Sequence, residues 1–327
     1  MTSFHRYLAE EVAVDHAEGL IPRREALHRL TLLGLAAPAA GALLAAWETG
    51  GENATASAAT GSGTGSGTAT ATAVTATAVT ATATATTVPP DGAPPAGPSP
   101  LPTEEIIFSG AETGVTLRGT WAAPAQPRGA VLVIHENRGL TDHIRSIAGR
   151  LAADGYCALA VDLLSREGGT ASFEDPAQAT AALGAISPER LASDMKAALG
   201  ELERGAPGKR LGVTGFCFGG AMTWLLLASD EPRLSAAVPF YGPLPDDADL
   251  SGSRAAVLAI YAERDDRVNA TRDEAKTALE RAGLEHELVT FPGVDHAFFN
   301  DTGPRYDAGA AAEAYRRVLD WFGRHLA

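Results

Sequence analysis

Residues 210–229 read RLGVTGFCFGGAMTWLLLAS, an apolar run, a glycine-rich turn and a second apolar run. The first run predicts a buried strand and the second a helix. Gly215 and Gly219 flank Cys217 with the G-x-S-x-G spacing of a nucleophile elbow, although cysteine stands where serine is usual. Such a turn strains the backbone so that the central side chain projects above the sheet. The stretch therefore predicts a strand–turn–helix unit with Cys217 at its tip; the alternative is a buried thiol in a helix-packing turn.

The rest of residues 104–327 alternates strand-like with helix-like segments. Several strand candidates are near-continuous apolar runs, which is typical of strands buried on both faces of a parallel sheet. The eight candidates are EEIIFSG, VTLRGTWAAP, GAVLVIHE, CALAVDLL, RLGVTGF, AAVPFYG, AVLAIYAER and HELVTFPG. Ser187 and Pro188 mark a helix start, with serine as N-cap and proline at the first position. The pattern predicts an α/β domain whose doubly wound, mostly parallel sheet of about eight strands has helices on both faces.

Residues 1–48 predict an N-terminal arm. Arg23 and Arg24 precede the apolar residues 30–47, as in a twin-arginine export signal, and residues 54–56 (Ala-Thr-Ala) offer a cleavage site. One alternative is an uncleaved membrane anchor formed by residues 30–47. Another is a helical arm that docks on the domain or on a partner, because YLAEEVAVDHAEG resembles an amphipathic helix. We expect an exported protein of the periplasm, cell envelope or exterior, with the cytoplasm as the alternative.

Composition separates the arm from the domain and excludes one class of partner. Residues 49–103 are almost entirely Thr, Ala, Gly, Ser and Pro, which predicts a disordered linker. The net charge of −14 argues against nucleic acid as a partner. Two cysteines occur, and Cys157 lies inside a predicted strand, where a thiol behaves as a small hydrophobe. We therefore predict two unpaired cysteines rather than a disulfide.

Polar residues follow the predicted strands at the edge where α/β sheets bind ligands. Cys217 follows the fifth strand, Asp265 and Asp266 the seventh, and Asp295 and His296 the eighth. Nucleophile, acid and histidine come in the chain order of α/β-hydrolases. His296 would deprotonate Cys217, and an acid would orient the imidazole. We favour Asp265 because Val268 follows it as in the usual D-x-x-V turn; Asp266 and Asp295 are the weaker candidates.

The motifs HENRG, VDLLSREGG, GFCFGGAM, ERDDRVN and GVDHAFFND together resemble the dienelactone hydrolase family. The resemblance covers residues 104–327 and implies an α/β-hydrolase fold with a Cys–His–Asp triad that opens an enol-lactone. It implies that Glu136 contacts Cys217 and helps to gate its ionisation. The alternative for Glu136 is a purely structural role, in a salt bridge with Arg138 or Arg145. The implied oxyanion hole consists of the backbone N–H groups of Asn137 and Phe218.

The resemblance also implies two arginines that hold a substrate carboxylate. Arg166 matches the first, whereas Asn300 stands at the second position and Arg305 has the wrong spacing. Because the second arginine is absent, the sequence does not predict whether a dienelactone is the substrate. Tyr241, Phe298 and Phe299 predict an apolar substrate pocket, or equally ordinary core packing.

The sequence as a whole predicts a hydrolase that cleaves a small-molecule ester or lactone through an acyl-cysteine. No metal cluster or phosphate loop is apparent, so neither a metal nor a cofactor is expected. Two alternatives stay open: a thiol or redox protein, and a non-catalytic envelope binding protein on the same fold. The sequence predicts no oligomeric state.

Overall fold

The computed structural model describes residues 3–48 and 99–327. The predicted cleavage site and nearly all of the predicted linker lie outside the described residues. Residues 99–103, at the end of that linker, run against the domain, where the Leu101 N–H donates to the Gly149 carbonyl at 3.0 Å.

The domain is built on one eight-stranded sheet, and all eight predicted strands are present. Strands β3 to β8 are parallel to one another, whereas β2 is antiparallel to β1 and to β4, and the order is β1-β2-β4-β3-β5-β6-β7-β8. The strands are β1 Glu104–Ser109, β2 Thr116–Ala122, β3 Gly129–Ile134, β4 Tyr156–Asp162, β5 Leu211–Phe216, β6 Leu234–Phe240, β7 Ala256–Ala262 and β8 His286–Phe291. The central strands β3, β4, β5 and β7 are buried throughout, as their continuous apolar runs predict.

Helices cover both faces of this sheet, so the α/β fold is the predicted one. The helices of the domain are α4 Asp142–Ala153, α5 Pro176–Ala185, α6 Pro188–Gly205, α7 Phe218–Leu227, α8 Asp266–Asn269, α9 Arg272–Ala282 and α10 Ala308–His325. The Ser187 side chain caps α6 by accepting from the Arg190 N–H, as predicted. Helix α5 was not predicted, because its residues PAQATAALGA have no clear amphipathic pattern.

The N-terminal segment, which we define as residues 3–48, forms three helices that pack on the domain. They are α1 Ser3–Ala17, α2 Arg23–Leu32 and α3 Ala37–Glu48. They contact one another, and α1 and α2 also contact α5. Leu8, Leu30 and Leu44 are fully buried and belong to the same apolar core as the strands of the sheet.

The apolar residues 30–47 are divided between two helices. Helix α2 ends at Leu32, the chain turns through Gly34 in the left-handed region (φ 81°), and α3 begins at Ala37. Within residues 3–48 and 99–327, no helix combines the length and the apolar character that a membrane crossing requires.

Candidate active site

Cys217 occupies a sharp turn between β5 and α7. Its backbone has φ 56° and ψ −116°, a conformation that is strained for a residue with a side chain. The turn is possible because its neighbours are glycines. A Cβ on Gly215 would lie 2.0 Å from the Gly219 carbonyl oxygen, and one on Gly219 would lie 2.3 Å from the Ile134 carbonyl oxygen. The glycines of the motif are therefore required by close backbone contacts.

His296 follows β8 and is held by a carboxylate that follows β7. Its Nδ1 lies 2.5 Å from Oδ2 of Asp265. The other oxygen of Asp265 accepts from the Val268 N–H and caps the short helix α8, which fixes the carboxylate in place. Asp266 is exposed, and Asp295 is half-buried with its carboxylate 3.7 Å from Arg264. Of the three candidate acids, Asp265 is the one that contacts the histidine.

Cys217, His296 and an unpredicted third residue, Glu11, converge at this edge of the sheet. The Cys217 sulfur, a His296 ring nitrogen and a Glu11 carboxylate oxygen all lie within 4.8 Å of one another, and all three residues are buried. The His296 Nε2 is 3.5 Å from Oε1 of Glu11 and has no hydrogen-bond partner among the described residues. The Cys217 sulfur lies 3.3 Å from the hydroxyl of Tyr7. Both Tyr7 and Glu11 belong to helix α1.

Burial and charge set the ionisation of this group. Burial raises the pKa of Cys217, and the Glu11 carboxylate raises it further. Burial acts to lower the pKa of His296, but the carboxylates of Glu11 and Asp265 outweigh it and hold that pKa well above its usual range. For Glu11, burial is outweighed by His296 and Arg267, which lower its pKa to about 2.

Arg267 holds Glu11 and Tyr7 to the domain. Its guanidinium pairs with Oε2 of Glu11, donates to the Tyr7 carbonyl at 3.1 Å and lies 4.4 Å from the centre of the Tyr7 ring. Glu11, Cys217 and His296 offer oxygen, sulfur and nitrogen donors of the kind that bind Zn²⁺. Because Arg267 already neutralises Glu11, the burial of this carboxylate does not require a metal ion.

Glu136, which follows β3, is held by the residue at the divergent position of the sequence, Asn300. The Asn300 amide donates to Oε2 of Glu136 at 2.6 Å, while Oε1 has no partner among the described residues. Burial raises the pKa of Glu136. The alternative of a salt bridge is not realised: Arg145 pairs with Glu105 at 3.2 Å, and Arg138 acts on Glu136 only through its more distant charge.

The predicted oxyanion donors lie at the same edge of the sheet. Asn137 lines the cavity beside Cys217, and its carbonyl accepts from the Thr180 hydroxyl at 2.9 Å. Phe218 is the first residue of α7, where backbone N–H groups lack partners within the helix. Both residues therefore lie beside Cys217, Asn137 in the cavity wall and Phe218 in the helix turn that follows the elbow.

The four predicted substrate-binding residues, Arg166, Tyr241, Phe298 and Phe299, do not line the cavity. Phe299 is buried and stacks on Phe216 in the core. Arg166 is bound elsewhere, at 2.6 Å from Asp194 and 2.9 Å from Glu112. The rings of Tyr241 and Phe298 are fully buried and meet edge to face, and the centre of the Tyr241 ring lies 5.0 Å from that of His296. These aromatic residues are therefore part of the core, with Tyr241 packed against His296, which corresponds to the core-packing alternative.

A cavity of about 530 Å³ opens beside Cys217, between the domain and the N-terminal segment. The domain contributes Glu136, His296 and Arg305, and the segment contributes Glu11 and Asp15. The size suits a small-molecule ligand. Sequence reasoning missed every contribution of the segment, because its helical pattern says that one face is buried but not where it packs.

Arg305 of the domain also binds the N-terminal segment. Although it lines the cavity, its guanidinium is already bound, at 2.8 Å from Asp15 and 2.7 Å from Glu18 of the segment. Its ion pairs are thus made across the boundary between the segment and the domain.

Comparisons with known proteins identify the family. Residues 117–326 match the dienelactone hydrolase family. A Salmonella typhi protein named "Putative carboxymethylenebutenolidase" is 32% identical over 252 residues, which cover 72% of this chain and 90% of that protein. A protein with the same name from Saccharolobus solfataricus is 30% identical, covering 68% and 98%.

Solved structures show the same relationship. A crystal structure from Klebsiella pneumoniae, titled "Putative Dienelactone Hydrolase", superposes with a TM-score of 0.60 at 30% identity and covers 68% of this chain and 100% of that one. The eight-stranded sheet, the elbow and the matched residues lead to one conclusion: the chain is a hydrolase that belongs to the dienelactone hydrolase family, with the α/β-hydrolase fold.

Proposed function

We propose that this chain hydrolyses a carboxylic ester or lactone through a Cys217–His296–Asp265 triad and an acyl-cysteine. The observation that carries the proposal is the Asp265–His296 hydrogen bond at the sheet edge where the elbow holds Cys217. An imidazole whose Nδ1 is held by a carboxylate is oriented to exchange a proton through Nε2. The names of the relatives point to the same reaction class.

In the proposed reaction, His296 Nε2 takes the thiol proton, and the Cys217 thiolate attacks the carbonyl carbon of the substrate. The negative charge that develops on the carbonyl oxygen is stabilised by the N–H groups of Asn137 and Phe218. The C–O bond of the ester then breaks, and the leaving oxygen takes the proton from His296. Water, deprotonated by His296, attacks the thioester, and the departing thiolate recovers the proton as the acid product leaves.

We propose that Glu136 assists ionisation of Cys217. Burial raises its pKa, so Glu136 is easier to protonate than an exposed carboxyl group and can share a proton with a nearby thiol. Its Oε1 is the oxygen free to do so, because Asn300 occupies Oε2.

A thiol-redox role is the alternative, and the sheet register counts against an intramolecular disulfide. Cys157 of β4 pairs with Ala130, which pairs with Leu211 at the start of β5. Cys217 follows the other end of β5, so the two cysteines are separated by roughly 20 Å at ~3.3 Å per strand residue. Disulfides need Cα atoms closer than about 7 Å. Both cysteines are free. A non-catalytic binding role would leave the Asp265–His296 pair without a purpose.

The test is a screen of neutral and carboxylated esters and lactones with the wild type, Cys217→Ala and the matched control Cys157→Ala. We expect Cys217→Ala to lose more than about 10⁴-fold in kcat, the scale for loss of a triad nucleophile. Cys157→Ala should retain activity. Mass spectrometry of enzyme quenched during turnover should find the acyl group on the peptide that contains Cys217. Wild-type rates in Cys217→Ala would refute the triad, and a stable sulfenic acid without esterase activity would favour the redox role.

A further inference from the structure

We propose that the N-terminal segment, residues 3–48, is an inhibitory segment that occupies the active site, and that substrate reaches Cys217 only when it withdraws. The inference rests on the proposed function of Cys217 and His296. It assigns roles to Tyr7 and Glu11, which lie outside the 117–326 region of family similarity.

Tyr7 occupies the space that the reacting carbonyl needs. An attacked carbon must come within roughly 3–3.5 Å of the nucleophile. The Tyr7 hydroxyl lies 3.3 Å from the Cys217 sulfur, and Cys217 is only 3% exposed. With Tyr7 in this position, a ligand in the adjoining cavity, whose wall includes Cys217, is kept from the sulfur.

Glu11 occupies the other half of the catalytic pair. Its carboxylate faces His296 Nε2 at 3.5 Å, although this nitrogen must accept the thiol proton. A carboxylate beside the ring favours imidazolium, which has no lone pair with which to take that proton. The segment thus blocks both the nucleophile and its base.

Paired charges hold the segment in place. Arg267 and Arg305 of the domain bind Glu11 and the Asp15–Glu18 pair of the segment, respectively. The side chains of Arg267 and Glu11 are 8% and 6% exposed, so salt screens this pair little. A buried arginine that loses its acid is costly, which gives each pair a large effect on docking.

Withdrawal is sterically feasible because residues 49–98 separate the segment from the domain in the sequence. At ~3.3 Å per residue, a stretch of this length can reach over more than about 100 Å. The predicted cleavage at residues 54–56 would detach the segment, so removal of an export signal and activation of the enzyme would be one event.

The experiment uses the full chain and two readouts. The first is the rate at which iodoacetamide alkylates Cys217, measured by peptide mass spectrometry with Cys157 as an internal reference. The second is ester hydrolysis. The variant Asp15→Arg/Glu18→Arg reverses both charges that face Arg305. The control Asp273→Arg/Glu274→Arg makes the same charge change on the exposed face of α9.

We expect the Asp15→Arg/Glu18→Arg variant to raise Cys217 alkylation at least tenfold and hydrolysis in proportion, with Cys157 and the control variant unchanged. An unchanged alkylation rate overturns the proposal, whatever the esterase rate. Faster alkylation with slower hydrolysis also overturns it, because the segment would then be a wall of the working site. If alkylation is faster but no variant hydrolyses an ester, the segment does shield Cys217, and the proposed hydrolase function is the part that fails.

A second form of the protein keeps every docking residue. A protease recognition sequence replaces residues 60–66 and is cut after purification, which ends the tethering that keeps the segment at high local concentration. The cut protein should gain activity and Cys217 reactivity on dilution, whereas the uncut protein should not. Equal behaviour of the cut and uncut forms on dilution would contradict the inhibitory role.

Discussion

The two edges of the sheet each hold a buried, unpaired cysteine, but in different surroundings. At the amino edge, Cys157 sits near the start of β4 among apolar neighbours. At the carboxyl edge, Cys217 lies in a strained turn beside a histidine and two carboxylates, Glu11 and Glu136. Burial raises the pKa of both thiols. Burial alone therefore does not distinguish them; the ionisable neighbours do.

The edges also differ in what closes them. At the amino edge the Leu326 side chain lies against Gly129 and Gly212. At the carboxyl edge, strand ends lead into loops or helix starts whose polar groups converge, and the N-terminal segment covers them. This difference follows from the parallel sheet, because the carboxyl ends of all its parallel strands lie at one edge, where ligands bind in α/β sheets.

The largest expected effect breaks the acid–histidine pair of the carboxyl edge. Asp265→Asn should lower kcat by about 10²–10⁴-fold, because an amide can hold His296 in the wrong tautomer. The neighbouring Asp266→Asn is the matched control, since Asp266 is exposed, and should stay near the wild-type rate. Steady-state kinetics with an activated ester decides between them; equal losses would mean that the acid assignment is wrong.

A second prediction compares glycines of the two edges. Gly219→Ala places a Cβ 2.3 Å from a backbone oxygen, which cannot move without distorting β3, so about 3 kcal/mol or more of stability should be lost. Gly212→Ala meets the Leu326 side chain at 2.8 Å, which can rotate, so the loss should be about 1–2 kcal/mol. Urea unfolding measures both. A larger loss in Gly212→Ala would reverse the comparison.

The smallest effect concerns Glu136 and depends on pH. Since folding raises its pKa, this carboxyl favours the folded state only below the ordinary carboxyl range and loses that contribution as pH rises. At neutral pH, Glu136→Gln should therefore raise the Tm by roughly 2–4 °C, or about 1 kcal/mol. Below about pH 4 the gain should vanish, because both side chains are then uncharged. Thermal unfolding from pH 4 to 8 tests this, and a constant difference would contradict it.

The fold was predictable because its signals are local. Each central strand is an apolar run bounded by turn residues, and Gly215 and Gly219 mark the turn that holds Cys217. The aspartate that contacts His296 could be predicted from the sequence because Val268 marks the turn in which Asp265 caps α8. Helix α5 was missed, although Asp175 and Pro176 form a start signal.

The arrangement around the site was less predictable. Arg166 matched a family spacing, yet Asp194, 28 residues along the chain, binds its guanidinium. Asn300 looked like a lost substrate contact, whereas it holds Glu136 across 164 residues. No sequence period links such pairs, because they form between distant segments of the chain that only the folded sheet brings together.

The sequence by itself determined the strands, the elbow, and the positions of Cys217, Asp265 and His296 at the ends of strands, from which we propose the triad. It could do so because hydrophobic period, glycine spacing and strand-end position are properties of short stretches. Only the tertiary structure decided that Tyr7 meets Cys217, 210 residues away, and that Glu11 faces His296. The amphipathic pattern of α1 requires a buried face, but the surface that buries it is chosen by complementary charge and shape across the whole molecule.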